Sequence, residues 1–327
     1  MKTLMALVVM AAFVAVPAMA STPRAFTYSI VARDPATGEM GVAVQSHWFS
    51  VGSVVPWAEA GVGAVATQSF VDASYGPLGL DLMRAGKSAP EALKALLAGD
   101  EGRDVRQVAM VDAQGRVAVH TGRNCIPAAG HVEGEQFTVQ ANLMGEATVW
   151  PAMAKAFREA KGDLADRMLA ALDAAEAEGG DVRGRQSAAI LVVKATSSGR
   201  PWADKVFDLR VEDNPFPLKE LRRLVQLQRA YTHASAGDDL VAAGKMDAAL
   251  AEYAEAARLA PQVLELPYWQ AVALASNGQL EKALPIFKEV FAQDPHWVDL
   301  TPRLPPVGLL PVDPDVLMRI LDQAPKS

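Results

Sequence analysis

Phe26 to Gln45, FTYSIVARDPATGEMGVAVQ, decides the fold. Its first nine residues are rich in β-branched and aromatic side chains, Pro35-Ala36-Thr37-Gly38 is turn chemistry, and Gly41 to Gln45 resumes the strand pattern. The stretch therefore predicts a hairpin. Outward from it, Gly61 to Phe70 (GVGAVATQSF) predicts a strand whose small residues let a neighbouring layer approach closely. Val105 to Asp112 and Arg116 to Thr121 flank Ala113-Gln114-Gly115 as a second hairpin. Gln136 to Leu143, Gln186 to Val193 and Lys205 to Val211 add further strands.

Helical patterns separate these strands. Ser74 to Ala85 is one; Ser88 to Ala98 is another, with an N-cap serine, Pro90 in the first turn and Glu91 as its box partner. Ala147 to Glu159 and Leu164 to Glu178 form a second pair. Strands and paired helices in this order predict an α+β domain over residues 21–214, with two sheets sandwiched between helical layers. Asn214-Pro215-Phe216-Pro217 marks its end.

Beyond that point the chain is helical and Ala-rich, and it repeats. Gly244, Ala249, Tyr253 and Pro261 recur as Gly278, Ala283, Phe287 and Pro295, all at an offset of 34, the tetratricopeptide (TPR) period. Glycine turns one helix into the next, alanine allows close packing, the aromatic fills the gap and proline stops the helix. Residues 218–300 thus read as TPR-like repeats, capped by a helix over Leu218 to Ala236. Residues 301–327 read as an extended Pro-rich segment, Pro302 to Pro311, and a closing helix, Asp313 to Asp322.

The N-terminus reads as an export signal over residues 1–20: Lys2, an apolar run from Leu4 to Val16, and Pro17-Ala18-Met19-Ala20 as a small-x-small cleavage site. Cleavage would leave Ser21 first, and a soluble periplasmic location is expected. That apolar run is shorter than the roughly 20 residues a membrane-spanning helix needs. The 327 residues, half of them hydrophobic, suit two domains, and one cysteine, Cys125, rules out a disulfide within the chain. A buried, inert thiol is expected there. A formal charge of -7 with no basic cluster speaks against nucleic acid as a partner.

No metal is expected, because HExxH and paired CxxC are missing and the five histidines are scattered. No cofactor is expected either, since no GxGxxG or P-loop follows a strand, and GxSxG is absent. FTYSIVARDPATGEMGVAVQSHWFSVGSVVPW, GVGAVATQSFVDASYGPLGL and GDVRGRQSAAILVV, occurring in that order, resemble the DUF1028 family of the N-terminal-nucleophile (Ntn) hydrolase superfamily. The resemblance covers roughly Ala25 to Asp213. It implies a four-layer αββα fold and hydrolysis of amide bonds in small molecules or peptides.

In that superfamily an N-terminal Thr, Ser or Cys uses its own α-amine as general base. Thr27 matches the strand position of such a nucleophile, with Gln68 and Asn142 as oxyanion donors and Arg185 as the holder of a substrate carboxylate. His47 follows a strand and is a second substrate-binding candidate. Against these roles stand plainer ones: Thr27 as a strand residue, Gln68 and Asn142 serving local backbone groups, Arg185 in an ion pair with its acidic neighbours, His47 packed. Since Ser21 is the expected first residue, catalysis by Thr27 requires a second cleavage after Phe26. In the hydrolase reading the helical tail recruits a protein partner or stiffens a dimer; the alternative function is a non-catalytic Ntn-like scaffold acting as a periplasmic binding or assembly module, with the tail carrying the function.

Overall fold

The computed structural model describes residues 24–25 and 27–325, so the expected export signal lies outside the described residues. The sheets are antiparallel throughout. One has five strands: β1 (Arg24–Ala25), β5 (Gly63–Phe70), β6 (Arg106–Asp112) and β7 (Val117–Thr121) in that order, with β4 (Pro56–Glu59) also on β5. The other has six, ordered β11 (Lys205–Val211), β10 (Ser187–Val193), β3 (Met40–Ser46), β2 (Thr27–Arg33), β9 (Phe137–Ala141) and β8 (Gly130–Gly134).

The two-residue period of a strand sorts its side chains between two cores. Val31, Val42, Val44 and Ala189 face Ala64, Ala66, Ala109 and Val111 of the other sheet, closing an aliphatic layer between the sheets. Their strand neighbours Ile30, Ala43, Val139 and Ile190 point the other way, onto α3 (Val149–Glu159) and α4 (Leu164–Ala177), where Met153, Phe157, Met168 and Leu172 meet them. The outer face of the five-stranded sheet offers Val65, Val108 and Met110 to α1 (Tyr75–Arg84) and α2 (Ala89–Gly99). The expected Ser88–Glu91 capping box opens α2.

α5 (Pro217–Ala242) belongs to two cores. Leu218, Leu221 and Val225 complete the layer under α4, while Ala230 packs with Ala256 and Leu266 of the helices that follow. It extends past the expected Ala236 and straight through Gly237, where a Cβ would lie 2.7 Å from the Tyr253 ring, so this glycine admits the neighbouring helix rather than ending α5. α6 (Met246–Leu259), α7 (Glu265–Ser276) and α8 (Leu280–Gln293) succeed it. The four paired positions occupy matching places: Gly244 and Gly278 turn at φ +70° and +72°, Ala249, Ala283, Tyr253 and Phe287 are buried, and Pro261 and Pro295 each follow the residue that caps their helix.

Pro302 to Pro311 is not extended as the sequence suggested. After α9 (His296–Leu300) the chain makes 3₁₀ turns at Thr301–Arg303 and Pro305–Val307, then α10 (Pro314–Leu321). Each turn carries proline in its first positions, where the fixed φ of the ring suits a helical start as well as an extended one. Among the described residues no helix is long and apolar enough to cross a membrane.

Candidate functional site

Towards one end the layer between the sheets changes from aliphatic to polar. On β2 the inward positions run Thr27, Ser29, Val31; on β3 they run Ser46, Val44, Val42; on β5, Gln68, Ala66, Ala64; on β6, Gln107, Ala109, Val111. β9 and the residue after it add Thr138, Gln140 and Asn142. All of these polar residues are buried. Register aligns them, since Thr27 pairs with Ser46 and Ser46 with Ser187.

Burial obliges these groups to satisfy one another. Gln68 is the junction: its Oε1 accepts from Ser29 Oγ at 2.6 Å, and its Nε2 donates to Gln107 Oε1 at 2.7 Å and to the carbonyl of Thr27 at 3.1 Å. Gln140 Nε2 donates to Ser29 Oγ at 2.6 Å, and Asn142 Nδ2 donates to Gln107 Oε1 at 2.8 Å. Thr27 itself is fully buried, its hydroxyl donating to Ser46 Oγ at 3.1 Å. Its carbonyl also accepts the Asn142 N–H at 3.1 Å. Asn142 Oδ1 is buried without a hydrogen-bond donor. One residue separates Thr27 from Ala25, which pairs with Ser69 in the opposite sheet.

The structure thus brings Thr27, Gln68 and Asn142 together and leaves Arg185 and His47 outside their network. Arg185 pairs with Glu176 at 3.2 Å and lies over the Phe216 ring at 5.5 Å, in a cleft of about 280 Å3 also lined by Asp173 and Lys219. Glu176 accepts from Tyr28 Oη at 2.7 Å, on the face of β2 opposite Thr27. Burial, and then the Glu176 charge and hydrogen bond, push the Tyr28 pKa well above its ordinary value. His47 sits beside Gly184, its backbone N–H donating to Asp181 Oδ2 at 3.1 Å, and Asp181 is bridged by Arg183.

The sequence reading missed Ser29, Ser46, Gln107, Thr138 and Gln140. The signal was present: Thr27-x-Ser29 and Thr138-x-Gln140-x-Asn142 place polar groups at every second residue of strands that are otherwise apolar. Cys125 is buried at this end of the five-stranded sheet, its Sγ 3.4 Å from the Arg106 carbonyl, and burial raises its pKa. Among the described residues no three His, Cys, Asp or Glu side chains gather as a metal site requires. A larger apolar groove of about 610 Å3 lies in the helical region, lined by Val241, Met246, Tyr253, Trp269, Val272 and Leu309 among others.

Residues 27–221 match the family described as "Family of unknown function (DUF1028)". The chain is also similar to the crystal structure of protein SPO2555 from Silicibacter pomeroyi, a protein of that family. The two are 32% identical with a TM-score of 0.56, over 62% of this chain and 85% of the other. No curated protein matches.

Proposed function

The chain belongs to the family of unknown function DUF1028, and we propose that it is an exported Ntn-type hydrolase of amide bonds whose nucleophile is the Thr27 hydroxyl. One observation carries this reading: Thr27 heads β2 inside a buried polar network, with the side-chain amides of Gln68 and Asn142 within hydrogen-bond reach of its backbone. The paired sheets between helical layers suit the αββα sandwich of the Ntn superfamily.

In this reading the Phe26–Thr27 bond is cut, which frees an α-amine that titrates near pH ~8. The amine takes the hydroxyl proton, the Thr27 oxygen bonds to the substrate carbonyl carbon, and the carbon–nitrogen bond breaks as the proton passes to the leaving amine. Water then cleaves the ester, releasing the acid and restoring the hydroxyl. Gln68 and Asn142 stabilise the oxyanion. The undonated Asn142 Oδ1 supports the reading, because a buried acceptor near the chain end suits a new ammonium group. Arg185, held by Glu176 on the opposite face of β2, and His47, beside Asp181, take no part in this step.

The 34-residue register of the helical tail supports TPR-like repeats, and in this reading they recruit a protein partner or join two copies of the chain. A second reading, a non-catalytic scaffold, is favoured by the burial of Thr27 and the continuation of the chain into β1. Mass spectrometry of the exported protein distinguishes them. The hydrolase reading expects a chain beginning at Thr27 that cleaves amides and loses turnover on Thr27→Ala while its melt is unchanged. A chain that keeps residues ahead of Thr27 and still cleaves overturns it.

A further inference from the structure

β4 and β1 share one edge of β5. β4 takes Gly63 to Ala66, β1 takes Ser69 and Phe70, and β6 occupies the other edge. The end of β5 has an anchor besides β1. Arg106 Nη1 donates to the Phe70 carbonyl at 2.7 Å and its Nε to Asp100 Oδ2 at 2.8 Å, while Tyr75 Oη anchors Asp100 at 3.0 Å. Loss of β1 would leave a fixed, two-residue strand edge beside Gln68 and within one residue of the Thr27 hydroxyl.

We infer that this edge is the acyl-side binding slot of the enzyme, and that its substrate is an extended peptide added to β5 as an antiparallel strand. The inference rests on the Thr27 reading, and it selects peptides over small amides. The third and second residues before the cleaved bond take the places of Arg24 and Ala25, pairing with Phe70 and Ser69. The residue that follows them carries the carbonyl of the cleaved bond, next to Thr27 in order. The chain's own Arg24 and Ala25 thus serve as the template for what replaces them. Recognition by strand addition takes affinity from backbone hydrogen bonds, and in an antiparallel pair alternate residues turn their amides towards and away from the neighbour.

The test uses a chain beginning at Thr27 and two probes, acetyl-Phe p-nitroanilide and acetyl-Arg-Ala-Phe p-nitroanilide. Removing β1 takes two paired residues and leaves every other strand in both sheets, and a thermal melt checks the fold. The longer probe is expected to gain about tenfold or more in kcat/KM, the effect of one or two added hydrogen bonds. N-methylation of the Arg or the Ala amide should abolish that gain at one position and leave it at the other. Equal turnover of both probes, or indifference to both methylations, overturns the slot and leaves Thr27 chemistry standing.

Calorimetry separates the two ideas without turnover. Acetyl-Arg-Ala-Phe acid should bind the Thr27→Ala chain beginning at residue 27, and bind the chain that keeps residues 21–26 about tenfold more weakly or not at all. Binding with the alternating methylation pattern but no hydrolysis of any amide by the Thr27 chain overturns the hydrolase reading and supports the slot. Equal affinity for cut and uncut chains overturns the slot.

Discussion

Gln68 Nε2 reaches across from the five-stranded sheet and donates to the main-chain carbonyl of Thr27, the first residue of a strand in the other sheet, at 3.1 Å. A side chain therefore fixes the position of a backbone in a different layer. This bond couples the packing of the two sheets to the geometry at the chain position on which the proposed chemistry depends.

Replacing Gln68 by Leu should destabilise the protein and, with it, misplace Thr27. Ser29 Oγ, Gln107 Oε1 and the Thr27 carbonyl each lose a partner inside a buried layer. The Gln107 oxygen and the Thr27 carbonyl keep bonds from Asn142, but the buried Ser29 hydroxyl loses its acceptor, and a buried polar group left unsatisfied costs about 1–3 kcal/mol. Urea unfolding of Gln68→Leu is expected to show a loss of at least about 2 kcal/mol. A change below about 0.5 kcal/mol would mean that the network relaxes around the gap.

Truncation should respond sharply to where the cut is made. Deletion from Gly244 removes α6 to α10 and leaves Leu218, Leu221 and Val225 in the first core. Deletion from Leu218 strips those three side chains, each worth about 1.5–3 kcal/mol of apolar burial. Circular dichroism melts should find the longer fragment cooperative and the shorter one unfolded or aggregated. Equal melts would show that α5 is dispensable to the sheets.

Acid should loosen the loop that carries Asp100. Burial pushes the Asp100 carboxyl upward, but the Arg106 guanidinium, the Gly102 N–H and the Tyr75 hydroxyl outweigh it, so its pKa falls below the ordinary 3.8. A carboxyl depressed in the folded state adds stability above its unfolded pKa and loses it as pH falls through the folded value. The melting temperature of the protein should therefore lose a component below pH about 3.8 that Asp100→Asn lacks. Parallel pH profiles for the two proteins would remove Asp100 from the acid transition.

The strand-type composition of Phe26 to Asp34 and Gly41 to Gln45, with the turn chemistry of Pro35 to Gly38 between them, made the central hairpin legible, since both are local properties of the chain. β11 fell on its expected residues for the same reason. β4, which carries Pro56, and β8, which begins and ends on glycine, were not legible, because their pairing is set by neighbours distant in sequence rather than by propensity. Thr27, Gln68 and Asn142 could be singled out one at a time, but Gln107 joins them only through the packing of one sheet on the other. Arg185 shows the opposite case: its charge drew attention, and the fold spends it on Glu176 and Phe216.

α5 runs unbroken for 26 residues, about 39 Å at the usual helical rise, from the edge of the six-stranded sheet into the C-terminal helices. A rod of that kind has no hinge at which to dissipate a load. A twist applied where a second molecule grips the far end arrives as torque on Leu221 and Val225, and so on β10 and β11 beneath them.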